Sequence, residues 1–192
     1  MLLLCKKFII AGSGGNYTPG QVLVNSDSGS VPSSINLLDD GVYELRLVGG
    51  GGGVNNYFGV ATGGSGGGFV GTVRLTKGTY SITWGKKGGN VTSSTGRAGS
   101  GGSSVFGGAS VGGGQGGATG YAGAGGAKPT MPYTIVSSSV NRAGNAGGTY
   151  NVGGGAGGAS IYSGYGKGCG YTNVGGYSNA TNGLVYLAFV SD

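Results

Sequence analysis

Histidine is missing from this 192-residue chain. Its absence removes the commonest acid–base group at neutral pH and every Ser-His-Asp or Cys-His arrangement. Carboxylates are scarce as well. The five are Asp27, Asp39, Asp40, Glu44 and Asp192, so residues 45–191 hold none. Asp39-Asp40 precedes a glycine and reads as a turn. These gaps predict a chain that is not an enzyme. Proline occurs 4 times and no Gly-X-Y register is sustained, which excludes collagen. The two cysteines, Cys5 and Cys169, imply no disulfide framework and too few ligands for a metal. Both read as free thiols, with a single bridge as the alternative. No apolar run is long enough for a membrane helix, and Lys6 and Lys7 interrupt the apolar start, so no signal peptide is expected.

Cofactor and nucleic-acid signals are weak in the same way. Gly66-x-Gly68-x-x-Gly71 fits a dinucleotide fingerprint as a string, but a strand follows it where a helix is required. No Arg-Gly-Gly repeat is present and the bases are sparse. No cofactor and no nucleic-acid partner are expected.

Glycine fills much of the remaining space, with 52 residues. Such a content usually signals disorder. Disordered chains, however, are charge-rich and poor in aromatics, and this one has 8 % charged residues, 12 Tyr, 5 Phe and 1 Trp. Residues 45–191 carry nine Lys and Arg. They serve solubility or draw anionic partners.

The chain divides by composition near residue 40. Residues 1–40 contain short apolar stretches (FII, QVLV, INLL) between turn signals and are expected to form an attachment segment. Residues 41–192 are expected to form a glycine-rich domain. Within it, VYELRLV at 42–48 alternates with Tyr43, Leu45 and Leu47 on one face. Further strands are expected at 68–75, 79–84, 103–106 and 183–190, the second and third joined as a hairpin through Thr76-Lys77-Gly78. Residues 107–183 read as mostly glycine with short interruptions. The apolar end at 184–190 suggests that the chain returns to pair with earlier strands. Glycine has nothing to bury, but polyproline-II-like glycine helices without side chains can approach closely and exchange backbone hydrogen bonds. The expected fold class is therefore mainly β, a small antiparallel β-structure combined with packed polyglycine-II helices and essentially no α-helix.

The order of these elements is familiar. An apolar strand (42–48) leads into five glycines (49–53). A Gly-Gly-Gly-aromatic strand (66–75), KGTYSITWG (77–85), GGSSVFG (101–107), long glycine runs and a closing apolar strand follow. Residues 40–190 thus resemble the glycine-rich domain at the tips of bacteriophage tail fibres and related adhesins. The resemblance implies polyglycine-II helices, and loops at the exposed end that contact a host receptor. It also implies a virion protein made in the host cytoplasm, attached through residues 1–40 to other tail-fibre proteins.

Eight of the tyrosines follow residue 110, interspersed with Asn, Ser and Thr. Tyrosine offers contact area with few rotatable bonds, and Ser, Gly and Asn offer adaptable hydrogen bonding. Tyr121, Tyr150, Tyr162, Tyr165, Tyr171, Asn173 and Tyr177 are the candidate contact residues for a host glycan or outer-surface protein. The alternative is that these tyrosines cap glycine helices. The chain then reads as a receptor-binding protein or as a self-assembling structural subunit, a homo-oligomer in a capsid decoration or filament. A disordered or ice-binding chain is a third reading.

Overall fold

Alternation in residues 42–48 does produce a strand, and its partners follow from what it buries. The computed structural model describes residues 15–56, 60–92, 94–150, 158–171 and 177–192. Among them there is no α-helix, only a 3-10 turn at Ser26–Ser28, and no helix is long and apolar enough to cross a membrane.

Two antiparallel sheets carry the structure. The larger places β1 (Val22–Asn25), β13 (Leu184–Ser191), β3 (Gly41–Val48), β5 (Gly68–Leu75) and β9 (Thr134–Arg142) side by side. The smaller orders β2 (Ser34–Leu37), β6 (Gly78–Thr83), β7 (Ser104–Phe106) and β8 (Ala109–Val111). Tyr43, Leu45, Leu47, Phe69, Val73, Leu187 and Phe189 point from the first sheet into one cluster with Leu37, Ile82, Phe106 and Val111 of the second. The core therefore lies between the sheets, as period-two burial requires. The closing strand pairs with β3 from Leu184↔Val48 to Ser191↔Val42, so the chain does return.

Three expectations need correction. First, β5 and β6 are consecutive but do not pair. Both edges of β5 are occupied, by β3 and β9, and β6 crosses to the other sheet between β2 and β7. Second, composition breaks near residue 40 but the fold does not. β1 pairs with β13 and β2 with β6. The Tyr17 ring packs against that of Phe189, tilted, with centroids 5.7 Å apart, and the Asp39 carboxylate accepts from the backbone N–H groups of Asn16 and Tyr17. Only residues 1–14, which include FII and Cys5, lie outside the described residues at that end. Third, the region read as mostly glycine contains the nine-residue β9, an exposed edge strand without an apolar face.

The glycine runs leave the sheets and hydrogen-bond to one another without forming strands. Gly49, Gly50 and Gly51 donate to Gly67, Gly102 and Thr181, and Gly52 and Gly53 then donate to Gly64 and Gly99. Each neighbour is thus met again after three residues. Residues 62–67 repeat the pattern. Thr62 and Ser65 donate to Gly148 and Asn145, Gly63 and Gly66 to Cys169 and Gly166, Gly64 and Gly67 to Gln115 and Gly112. The N···O distances within this set are 2.8–3.2 Å, so the buried amides are paired as a buried backbone requires. Among the described residues, positive φ falls on Ser163 and on glycines outside these runs, apart from Gly166. Glycine is needed here for close approach. A Cβ on Gly52, Gly63, Gly64 or Gly66 would meet a neighbouring carbonyl oxygen well under 3.0 Å.

Candidate functional site

The runs are arranged as excursions: each leaves a sheet, turns and comes back. Residues 49–53 continue β3 and 61–67 feed β5. Residues 85–89 and 98–102 lie between β6 and β7, and 112–117 and 123–127 between β8 and β9. Their turns meet at one end. Asn56 N donates to Val91 O at 2.9 Å, Val54 N to Asn90 Oδ1 at 3.1 Å, and Arg97 pairs with Ala118 in a β-bridge. β4 (Val60–Ala61) and β10 (Thr149–Tyr150) pair there. Cys169 and Ala180 pack on Val54 beneath the tip, beside the short ladder of β11 (Gly170–Tyr171) with β12 (Tyr177–Ser178).

Asn55 holds this end together. It is fully buried. Its Nδ2 donates to Gly96 O at 2.7 Å and to Thr119 Oγ1 at 3.4 Å, and Thr119 Oγ1 donates to Ser94 O at 3.2 Å. One amide thus joins three turns. Arg97, whose NH1 donates to Gly116 O at 2.7 Å, is the one charge among the described tip residues 54–56, 60–61, 90–92, 94–97 and 118–121. Tyr121 projects from its turn with 71 % exposure. The remainder is Asn, Ser, Thr, Tyr, Val, Ala and Gly, a composition suited to adaptable contact. Cys169 is a free, buried thiol, and burial raises its pKa, which keeps it from acting as a thiolate.

The candidate residues therefore separate into two places. Tyr121, Tyr150, Tyr171 and Tyr177 belong to the tip elements. Asn173 lies outside the described residues. Tyr162 and Tyr165 sit elsewhere, on the outer face of the large sheet where strands give way to glycine runs. They form a tight turn in which Ser163 and Gly164 both have positive φ, 44° and 84°, the pairing that a two-residue connection demands. Their rings stack with centroids 6.4 Å apart, and the Arg46 guanidinium lies 4.3 Å from the Tyr186 ring and 5.9 Å from that of Tyr162. Tyr165 places its hydroxyl 2.6 Å from both Asp27 oxygens. Sequence reasoning passed over Asn55, Thr119 and Arg97 at the tip, and Asp27 and Trp84 at the second place. The one available signal was an amide pair, Asn55-Asn56, directly after a glycine run.

The hydrogen bond to Asp27 and then burial push the Tyr165 hydroxyl up to about 12. Burial, joined by nearby Tyr17 and Asp39, raises Tyr43 further. Both phenols are held neutral by the fold. Their contribution is fully present below the unfolded tyrosine value, about 10, and is lost as pH rises through the folded values. Denaturant midpoints are accordingly expected to stay level up to pH 10 and fall steeply towards pH 12. Tyr165→Phe should remove part of that fall. An unchanged slope in the variant would refute the assignment to Tyr165.

Comparison with known proteins adds no relative: no family model and no curated protein matches this chain.

Proposed function

We propose that this protein is a non-catalytic recognition module of the tail-fibre-tip type, whose tip turns hold a host surface glycan or protein. The observation that carries the reading is the meeting of separate turns at one end, stapled by Asn55 and rich in Tyr, Asn, Ser and Thr. The glycine runs fit packed polyglycine-II helices. Their partners recur every three residues and their φ values are negative, in keeping with the left-handed threefold helix. Such packing gives a stiff stem that presents turns without a large side-chain core. The missing histidine and the tip's missing carboxylates favour binding without catalysis. Attachment to other virion proteins falls to the N-terminal part, with residues 15–40 supplying sheet strands as well.

Tyr121→Ala tests the reading. With 71 % of the residue exposed, the melting temperature should stay within a degree or two, roughly the effect of a neutral surface change. Particles carrying the variant should assemble and adsorb to host cells about tenfold more slowly, the loss of one aromatic anchor. Normal adsorption in Tyr121→Ala and in its double variant with Tyr150→Ala would refute it. A second reading, a self-assembling subunit, is favoured by the exposed edge strand β9, which offers unpaired backbone to another copy. Loss of assembly upon Tyr121→Ala would transfer preference to it.

A further inference from the structure

Away from the tip, a groove follows the segment 25–33 across the shoulder of the molecule. It has three chambers of about 230, 430 and 420 Å³. The first two share Asp27, Ser163 and Tyr165, and the last two share Gly29 and Trp84. The chambers adjoin one another along this segment, each close to the size range of small-ligand sites.

The groove joins aromatic faces to amide and hydroxyl groups. Tyr165 stands where the first chamber meets the second, and Trp84 where the second meets the third. Between them run Thr181 and Asn182. Trp84 is fixed, its Nε1 donating to Gly183 O at 2.9 Å, and it is the chain's only tryptophan. Its ring is covered by the exposed Lys86, whose ammonium lies 3.1 Å from the centroid. Two more lysines meet the same wall through their backbone N–H groups. Lys87 N donates to Asn182 Oδ1 at 3.0 Å, and Lys167 N to Thr181 Oγ1 at 2.8 Å. The one carboxylate lining these chambers, Asp27, is already engaged by the Tyr165 hydroxyl. The Trp84 end therefore combines an aromatic face, the Lys86 ammonium and several hydrogen-bonding groups.

We propose that this groove is a second binding site, separate from the tip, and that it takes an acidic oligosaccharide. Sugar C–H groups suit the negative face of an aromatic ring, and the amide and hydroxyl groups suit sugar hydroxyls. The Lys86 ammonium selects a ligand bearing carboxylate or phosphate. Lys86 makes the two requirements one event. Exposed cation–π contacts are weak, so an incoming anion draws the ammonium off Trp84 and uncovers the face on which the sugar ring settles.

Trp84 reports on its own site. Trigalacturonate is expected to change Trp84 emission saturably, whereas maltotriose of equal length, and inorganic phosphate, leave it unchanged. Lys86→Gln with Lys87→Gln should weaken trigalacturonate binding at least about tenfold by calorimetry, as should Trp84→Phe, which retains an aromatic ring in the same packing. Tyr121→Ala, which tests the tip, should leave the titration intact, so the two readings fail separately. An equal response to maltotriose overturns the acidic selectivity. An equal response to phosphate reduces the site to an anion site and overturns the sugar. No heat or emission change with trigalacturonate overturns the site itself, and unweakened binding in the double lysine variant overturns the role of the lysines.

Discussion

Gly64→Ala is expected to destabilise this protein severely, while Gly89→Ala is expected to leave it untouched. Gly64 donates to Gln115 O and accepts from Gly52 N, each at 2.9 Å. A single methyl there would run into the carbonyl of Ala124, well inside contact distance. The obstacle is main chain, so no rotamer change relieves it. Three segments must separate, and each carries hydrogen bonds that would be left unpaired in the interior. Overpacking and lost buried hydrogen bonds together set a cost of about 2–5 kcal/mol. For a chain of this size that is a fall in melting temperature of roughly 5–20 °C. Gly64→Val should be worse. At Gly89 an added Cβ meets nothing within 4 Å and φ is not positive. The substitution there is neutral, or stabilising by up to about 1 kcal/mol through the unfolded chain. Thermal melts of the two variants decide the matter. Similar melting temperatures would mean that the runs are loosely associated.

The contrast reverses the usual relation between side chain and core. In the β-sandwich, Tyr43, Leu45, Leu47 and Phe189 are fully or almost fully buried and stability follows apolar area. In the glycine region the buried groups are amides, and stability follows from how completely they are paired. Ser65 and Thr62 show how tightly polar groups are used there. Both are fully buried, and each hydroxyl accepts from a backbone N–H, Asn145 at 2.7 Å and Gly148 at 2.8 Å. Ser65 and Thr62 are accommodated in the lattice by the hydrogen bonds their hydroxyls supply.

That division also explains which features could be read in advance. β3, β5 and β13 announce themselves because one face of each is buried and the alternation is visible in the letters. β9 has no such face. Its residues are exposed or half-buried, Ile135 and Val136 are consecutive, and Ser137 to Ser139 give no period. The absent β5–β6 hairpin is a different failure. Thr76-Lys77-Gly78 is a sound turn signal, but nothing local reveals that both edges of β5 are taken. The break near residue 40 misled for a similar reason, since composition changes there while strand pairing continues across it. For the site, the enrichment in Tyr and Asn was legible. The separation of Tyr121 from Tyr162 and Tyr165 was not, because it depends on how far each excursion runs before it turns back.

Replacing Asn55 tests the tip without altering any exposed side chain. Asn55→Ala removes the amide that spans Gly96 and Thr119 and takes that donor from the half-buried Gly96 carbonyl. The expected cost is about 1–3 kcal/mol. Asn55→Asp keeps the shape but turns an acceptor, and a charge, towards the Gly96 carbonyl in a fully buried position. It should be the more damaging of the two, because an unpaired buried charge costs more than a missing hydrogen bond. Cell attachment should fall in Asn55→Ala even where the protein remains folded, since the turns at 90–97 and 118–121 lose their common anchor. Tyr121→Ala predicts the complementary result, attachment lost with stability kept. If Asn55→Asp melts with the wild type, the amide is not the staple assigned to it. If Asn55→Ala is destabilised yet binds cells normally, the receptor contact does not need these turns held together, and the recognition surface must be sought in another part of the molecule.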